Sequence, residues 1–151
     1  IKKNHEEIIT KPESIRILDN KAKFFKVRDR LTNSLSAKDI GQFIRLTHQR
    51  VDYYTGLLRI GGKGISPKPI KTIKQISKIL DIHRKTAESL INRLLKKNVI
   101  LRINNLFYIN PSFLQYGAYI QIDVFMEMIK KDPYILKHIS KAQAKIISYF
   151  R

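Results

Sequence analysis

The chain has 151 residues, which is enough for one domain with a hydrophobic core and too few for two large domains. Thirty Lys and Arg residues against twelve Asp and Glu residues give a net charge of +18, an excess that favours a polyanionic partner, with nucleic acid first and an anionic membrane second. The hydrophobic fraction of 43% excludes a wholly disordered basic peptide.

Residues 1–35 are predicted to form an amino-terminal extension. Residues 15–18 and 23–27 alternate apolar and polar side chains around an Asp19-Asn20 turn, a pattern typical of a β-hairpin. A helix is the alternative, and it stays open, because apolar side chains also recur there at helical steps. The residues that fit the helical face are Phe24, Val27, Arg28 and Leu31.

A long helix is predicted over residues 36–58. Ser36 followed by Asp39 resembles a capping box in which Asp replaces Glu. An apolar stripe continues along it through Ile40, Phe43, Ile44, Thr47, Val51, Tyr54 and Leu58. We expect this to be the first helix of the core.

A basic loop is predicted next, since Gly61-Gly62-Lys63-Gly64 and Pro67-x-Pro69 interrupt regular structure before a short strand around Ile70. A phosphate-binding P-loop needs Ser or Thr after its Lys and a wider glycine spacing. Gly64 stands after Lys63 instead, which favours a connector over a nucleotide cradle.

Two short helices joined at a tight corner are predicted over residues 72–97. Thr72 is a suitable N-cap, and apolar residues recur at steps of three and four as far as Leu80. Asp81 stands at the corner, where such a turn usually has Gly in the left-handed conformation. The second helix buries Ala87, Leu90, Ile91, Leu94 and Leu95, and Asn98 is suited to the left-handed position that ends it.

A β-hairpin is predicted after the second helix. Residues 99–103 and 106–109 are rich in β-branched and aromatic side chains, and Asn104-Asn105 between them accepts positive φ. A hairpin that follows two such helices is expected to be a wing.

The segment LDIHRKTAESLINRLLKKNVILRINNLFYINPSF, residues 80–113, resembles the winged helix-turn-helix of RepL-type plasmid and phage replication proteins and, more loosely, of MarR-type regulators. The residues that carry the resemblance are Leu80-x-Ile82-x-Arg84-x-Thr86, Leu90-Ile91, Leu94, Lys97-Asn98-x-Ile100 and Tyr108-x-Asn110-Pro111. The segment departs from the pattern at Asp81, His83 and Asn98, where Gly, Ser or Asn, and Gly are usual.

The fold class that follows is mainly α with a small β component, built on a winged helix-turn-helix core at residues 36–117 with amino-terminal and carboxy-terminal extensions. Residues 118–151 should form two helices, interrupted at Asp132-Pro133. The last helix carries an apolar stripe of Ile139, Ala142, Ile146, Ile147 and Phe150. Such a stripe either packs on the first helix or forms a dimer interface, and paired DNA half-sites favour a homodimer.

Charge is concentrated between residues 63 and 102. This stretch has eleven basic and two acidic residues and so a net charge of +9, half of the total. We expect the cations of the first short helix to contact DNA phosphates. The polar face of the second short helix is expected to lie in the major groove, and the hairpin is expected to reach the DNA backbone or the minor groove. The predicted DNA-binding residues are Lys71, Thr72, Lys74, Lys78, His83, Arg84, Lys85, Thr86, Ser89, Asn92, Arg93, Arg102, Asn104 and Asn105.

Two of these positions have other interpretations. His83 stands at an N-cap and is expected to cap the helix with a phosphate contact in addition, since a lone His is more often structural than catalytic. Glu88 would accept a hydrogen bond from cytosine or pair locally with Arg84 or Asn92, and we favour the local pair.

No enzyme site is predicted. The four His residues are scattered, no two carboxylates share a convincing site, and the sequence predicts no metal and no cofactor. Tyr53-Tyr54 beside His48 suggests a nicking site, but His48-Gln49-Arg50 lacks the second His of that motif. These tyrosines are expected to pack at the edge of the core.

The sequence therefore predicts a protein that binds double-stranded DNA, and the resemblance implies recognition of an origin or control region in a plasmid or phage. The alternatives are a transcriptional repressor and, from another class, a basic protein-interaction scaffold; replication or transcription machinery is a further expected partner. With no cysteine, no apolar run near 20 residues and no secretory signal, we expect a location at the nucleoid in a bacterial cytoplasm, without membrane association.

Overall fold

The structure is a computed structural model that describes residues 9–18, 26–61 and 66–151. Helices hold 47% of these residues and strands hold 19%, in four two-stranded sheets. The strands are β1 (Ser14–Arg16), β2 (Lys26–Val27), β3 (Arg59–Ile60), β4 (Lys68–Pro69), β5 (Ile100–Ile103), β6 (Leu106–Ile109), β7 (Leu114–Gln115) and β8 (Tyr119–Gln121). The helices are α1 (Asp29–Ser34), α2 (Ala37–Thr47), α3 (Ile73–Leu80), α4 (Arg84–Lys96), α5 (Ile122–Lys131), the 3-10 helix Pro133–His138 and α6 (Lys141–Ser148).

Two hydrophobic clusters form the interior. The first lies among the helices α1, α2, α3 and α4 and includes the fully buried Phe43, Leu46 and Leu80. The second lies among β1, β8, α5 and α6 and includes Phe125 and Ile147. The predicted division of the chain at residues 35 and 117 stays a prediction.

The hairpin β5–β6 is a layer between the two clusters. Neighbouring residues of a strand point to opposite faces of a sheet. One face of the hairpin places Ile100, Phe107 and Ile109 in the first cluster, and the other face places Leu101 and Ile103 in the second. The hairpin therefore packs on both sides, and its exposed residues are Arg102 and the tip residues Asn104 and Asn105.

The predicted fold class, a mainly α protein with a small β component on a winged helix-turn-helix core with extensions, is wrong. The chain is helix-rich with a sizeable strand component in small two-stranded sheets and is not clearly a winged helix. A wing projects from its domain, whereas β5–β6 is enclosed by packing on both faces. Nor are the described parts of the predicted extensions separate from the rest, because β1 pairs with β8 and β2 pairs with β7.

The predicted helix over residues 36–58 is confirmed only in its first half. Ser36 Oγ accepts a hydrogen bond from the backbone N–H of Asp39 at 3.1 Å, and α2 begins there. The helix ends at Thr47, Gln49 adopts a φ of +58°, and Val51 forms a β-bridge with Leu58. The apolar stripe was misleading, since Val51 and Leu58 are buried through strand pairing rather than on a helix face.

The amino-terminal hairpin is not present as predicted. Residues 14–16 pair with β8 and residues 26–27 with β7, so the described parts of the two predicted strands do not pair with each other. Asp19-Asn20 and most of the second predicted strand lie outside the described residues, as do residues 62–64 of the glycine loop. The alternative helix begins at Asp29, five residues later than its first predicted member Phe24.

The carboxy-terminal helices begin later than predicted, but the interruption at Asp132-Pro133 is confirmed. Residues 119–121 form β8, so α5 begins at Ile122. Asp132 ends α5 and caps the 3-10 helix, accepting a hydrogen bond from the Tyr134 N–H at 3.3 Å. Ile139 and Ile147 of the predicted stripe are buried in the second cluster and Phe150 packs against it, whereas Ala142 is exposed.

A buried polar network ties α1, the end of the hairpin and α5 together. Asp132 Oδ2 accepts hydrogen bonds from Arg30 Nη1 at 2.6 Å and from Asn110 Nδ2 at 2.7 Å. The Arg30 guanidinium lies 4.3 Å from each ring centroid of Phe113 and Tyr134. Burial raises the pKa of Asp132, but the hydrogen bonds and the Arg30 charge outweigh it, so the pKa lies below its ordinary value.

Candidate nucleic-acid interface

The start of α3 is closed by its own side chains. Thr72 Oγ1 accepts a hydrogen bond from the Gln75 N–H at 3.2 Å. Gln75 Oε1 accepts hydrogen bonds from the backbone N–H groups of Lys71 at 2.7 Å and Thr72 at 3.0 Å. This capping box engages three of the backbone N–H groups near the helix start. The side chains of Lys71, Lys74 and Lys78 beside it are all exposed.

The corner between α3 and α4 has the geometry that the sequence predicted. Asp81 adopts a left-handed conformation with φ and ψ both 52°. Ser77 Oγ donates a hydrogen bond to the Ile82 carbonyl at 2.8 Å, which fixes the turn. His83 Nδ1 accepts a hydrogen bond from the Lys85 N–H at 3.2 Å, so the predicted N-cap role of His83 is confirmed.

The outward face of α4 has a central line of polar side chains. Lys85, Ser89 and Asn92 are exposed and stand at positions i, i+4 and i+7, which share one side of a helix. Lys96, at i+11, continues this line, although it was not among the predicted binding residues. Its spacing from Lys85 was the signal that would have found it. Hereafter the α4 face means Lys85, Ser89, Asn92 and Lys96.

The remaining polar residues of α4 flank this line. Helix geometry places Arg84 and Glu88 on one side and Thr86 and Arg93 on the other. All four are exposed. Among the described residues Glu88 forms no ion pair with Arg84 and no hydrogen bond with Asn92, so the favoured local role of Glu88 is not observed.

Arg93 is held by an acid on α2. Arg93 Nε donates to Asp39 Oδ2 at 2.8 Å, and Arg93 Nη2 donates to Asp39 Oδ1 at 3.0 Å. The hydrogen bonds from Arg93 hold the pKa of Asp39 below its ordinary value, although burial acts in the opposite direction. The guanidinium of Arg93 is thus engaged within the protein, which sets it apart from the other predicted DNA-binding residues.

The hairpin tip stands next to the entry of α3. Asn104 and Asn105 have φ values of +52° and +62°, as the predicted two-residue turn requires. Arg102 lies over the Phe107 ring, 5.2 Å from its centroid. A cleft of about 450 Å³ separates the tip from the chain before α3, and its polar lining is Lys71, Arg102, Asn104 and Asn105. The fold therefore brings together two parts of the predicted site that are thirty residues apart.

All fourteen predicted binding residues are exposed. Within the described ranges, Arg93 alone among them forms a salt bridge, and the side chains of Lys74, Lys78, Arg84 and Lys85 form neither an ion pair nor a hydrogen bond. Unpaired cations on adjoining elements produce a positive field, and such a field attracts a polyanion.

The described parts of the chain show neither a metal-binding cluster nor a membrane-spanning helix. No group of three or more His, Asp or Glu residues there is placed to hold a metal ion. No helix in these parts is both long and apolar enough to cross a membrane.

The chain matches no protein-family model, no curated protein and no solved structure.

Proposed function

We propose that this protein binds double-stranded DNA, with the α4 face in the major groove and the cations of α3 at the phosphate backbone. The observation that carries the proposal is the set of exposed, unpaired cations on the adjoining helices α3 and α4, together with a hairpin tip that bears Arg102 and two Asn residues. The chain's net charge of +18 also favours binding to a polyanion such as DNA.

The residues of the α4 face have the chemistry to read bases. The major groove of B-form DNA accommodates an α-helix and displays a different set of donors and acceptors for each base pair. Asn92 can pair with the N6 and N7 edge of adenine, and Lys85 can donate to O6 and N7 of guanine. Ser89 between them donates or accepts and so tolerates several bases.

The flanking elements supply contacts that do not depend on sequence. Lys74 and Lys78 extend from α3, and a Lys–phosphate contact fixes the register of a protein on the duplex. Lys71 and Arg102 both line the cleft at the hairpin tip. That pair is suited to a backbone phosphate, with Asn104 and Asn105 at the edge of the minor groove.

We further propose that the biological target is an origin or control region of a plasmid or phage, as the resemblance of residues 80–113 to RepL-type proteins implies. A homodimer on paired half-sites belongs to this proposal. The stripe of the last helix does not support it, because Ile139 and Ile147 are already buried within the protomer. A dimer would have to use another surface.

The proposal is tested by selecting duplex fragments from a genomic pool with the purified protein and measuring affinity for the selected site. Lys85→Ala and Asn92→Ala should each weaken binding, whereas Asn33→Ala, an exposed Asn on α1, should not. With six or more phosphate contacts, affinity should fall by about 10³-fold or more between roughly 50 and 200 mM salt. No enrichment of any fragment and no salt dependence would overturn the proposal in favour of a protein-binding scaffold.

A further inference from the structure

Residues 52–56 form a loop that hydrogen bonds hold in place. Asp52 Oδ1 accepts a hydrogen bond from the Tyr54 N–H at 2.8 Å, which closes the turn. The Ile109 N–H of β6 donates to the Gly56 carbonyl at 2.8 Å, which attaches the loop to the central hairpin. The backbone that presents Tyr53 and Tyr54 is therefore fixed in position.

The ring of Tyr53 is supported from one side only. Its centroid lies 5.5 Å from that of Tyr116, with an angle of 38° between the rings. Tyr116 is in turn fixed, since its hydroxyl donates to Thr47 Oγ1 at 3.1 Å. Gly117, with a φ of +75°, approaches the Tyr53 carbonyl so closely that no side chain would fit there. Tyr53 nevertheless remains 53% exposed.

One more tyrosine, Tyr119, lies on the β1–β8 pair, to which Tyr54 of the loop is hydrogen-bonded. Tyr119 stands opposite Arg16 in the antiparallel register, and the Arg16 guanidinium lies 5.7 Å from the centroid of the Tyr119 ring. The Gln121 N–H of β8 donates to the Tyr54 carbonyl at 2.9 Å. The Tyr54 hydroxyl donates to the Glu13 carbonyl at 3.4 Å, so the ring of Tyr54 reaches the start of β1.

Tyr53, Tyr54, Tyr119 and Arg16 are named here the tyrosine surface. The three rings are 53%, 40% and 46% exposed. A single exposed aromatic residue needs no explanation. These three tyrosines lie on two segments that are hydrogen-bonded to each other, with a guanidinium against Tyr119, and together they offer exposed ring area that a ligand could cover.

The nearby charges favour an anionic occupant. Asp52 is paired with Arg59 at 3.4 Å, and Asp123 is paired with Lys11 at 2.6 Å. These acids are therefore largely neutralised, while Arg16 forms no salt bridge in the described structure and the whole chain carries +18. Glu13 is the remaining acid beside the surface. The unpaired bases of a single-stranded nucleic acid have flat π faces that can stack on the tyrosines. The phosphates between those bases can pair with the guanidinium of Arg16.

We propose that the tyrosine surface binds single-stranded DNA, with unpaired bases stacked on Tyr53, Tyr54 and Tyr119 and the backbone held by Arg16. This site shares no residue with the α4 face or with the cations of α3. It rests on the proposed function only for the choice of DNA over RNA. The protein would then hold a duplex and an unpaired strand at separate surfaces.

The experiment measures binding of a fluorescently labelled twelve-nucleotide oligo-dT to the full chain by anisotropy. Tyr53→Ala and Tyr119→Ala should each weaken binding roughly 5- to 100-fold, because each removes a stacked base contact. Tyr119→Phe should retain binding, since the ring persists. The matched control is Tyr149→Ala, which removes a 57% exposed tyrosine at the end of α6 and should change nothing.

A second readout separates stacking from loss of fold. The protein has seven tyrosines and no tryptophan, so its intrinsic fluorescence comes from tyrosine, and oligo-dT should quench it. Quenching should fall in Tyr53→Ala and Tyr119→Ala while circular dichroism and the melting temperature stay as in the wild type. Equal oligo-dT affinity in all variants, or no binding by the wild type at low salt, would overturn the site and assign the surface to a protein partner.

Two further arms distinguish this site from the proposed duplex surface. Lys85→Ala and Asn92→Ala should lose duplex affinity and keep oligo-dT affinity, so either proposal can fail without the other. An oligo-rU of the same length should bind no more tightly than oligo-dT. Tighter binding of oligo-rU would overturn the assignment to DNA.

Discussion

Arg93 on α4 forms a two-point hydrogen-bonded ion pair with Asp39 on α2, with N···O distances of 2.8 and 3.0 Å. The pair joins the carboxyl half of α4 to the first turn of α2. Because Arg93 lies on the flank of α4, this contact helps to fix the rotation of the helix about its axis. Burial of Ala87, Leu90, Ile91 and Leu94 on the opposite face directs Lys85, Ser89 and Asn92 to solvent, and the ion pair supports this orientation. We therefore regard Arg93 as a residue that positions the proposed DNA-binding surface.

Replacing Asp39 should lower stability in a pH-dependent way. The folded pKa of Asp39 lies below its unfolded value, so its contribution is fully present above about pH 4 and is lost as the pH falls through the folded pKa. Asp39→Asn should lower the free energy of unfolding at pH 7 by about 1 kcal/mol, a modest cost because Arg93 is half exposed.

Urea unfolding at pH 7 and at about pH 2.5 checks this expectation. The wild type and Asp39→Asn should differ at pH 7 and converge at the acidic pH. Glu88→Gln, which removes an exposed and unpaired acid on α4, the helix of Arg93, should match the wild type at pH 7. An equal difference between wild type and Asp39→Asn at both pH values would mean that the pair contributes nothing through charge.

Replacing Asn92 should change specificity as well as affinity. Asn92→Ala removes a pair of hydrogen bonds to one base, so binding to the selected site should weaken by about 1 to 3 kcal/mol and preference at one base position should relax. Titration of the selected duplex and of its single-base variants measures both effects. Unchanged affinity with unchanged preference would show that Asn92 does not read a base.

Replacing Lys74 should weaken binding to every duplex alike. Loss of one phosphate contact should reduce the slope of log affinity against log salt by about 1. Lys141→Ala on α6 is the matched control, since it removes an exposed cation far along the chain. If Lys74→Ala weakened binding to one sequence and spared others, its assignment to phosphate would be wrong.

Removing Asp132 should destabilise the whole chain. Its carboxylate is only 6% exposed and accepts hydrogen bonds from Arg30, Asn110 and Ser112, so Asp132→Ala leaves buried polar groups without an acceptor. We expect a loss of about 3 kcal/mol, measured as a lower midpoint of urea unfolding. A loss below about 0.5 kcal/mol, the size of a typical surface substitution, would show that the network is not essential.

Local sequence patterns predicted the helix caps and turns well. Thr72 and Ser36 are caps, Asp81 and Asn98 adopt positive φ, and Asn104-Asn105 forms the hairpin turn. Each of these features depends on a few neighbouring residues, whose conformational preferences the sequence displays directly. The exposure of all fourteen predicted binding residues has the same origin, because helical and strand periodicity separates the polar face from the apolar one.

The arrangement of the elements was less accessible, because it depends on contacts between distant residues. The hairpin strands are apolar on both faces, and this pattern indicates a strand covered on both sides rather than a wing. Nothing in residues 14–16 reveals that their partner is β8, more than one hundred residues later. The pairing of Arg93 with Asp39 is equally non-local, across 54 positions.

The most direct test of the proposed duplex surface is to map backbone amide chemical shifts by NMR while duplex DNA of the selected sequence is added. The largest changes should fall in residues 71–105, centred on Lys85, Ser89 and Asn92, with smaller ones at the hairpin tip. Largest changes in residues 133–148, or changes spread evenly over the chain, would contradict the assignment of duplex binding to α3, α4 and the hairpin.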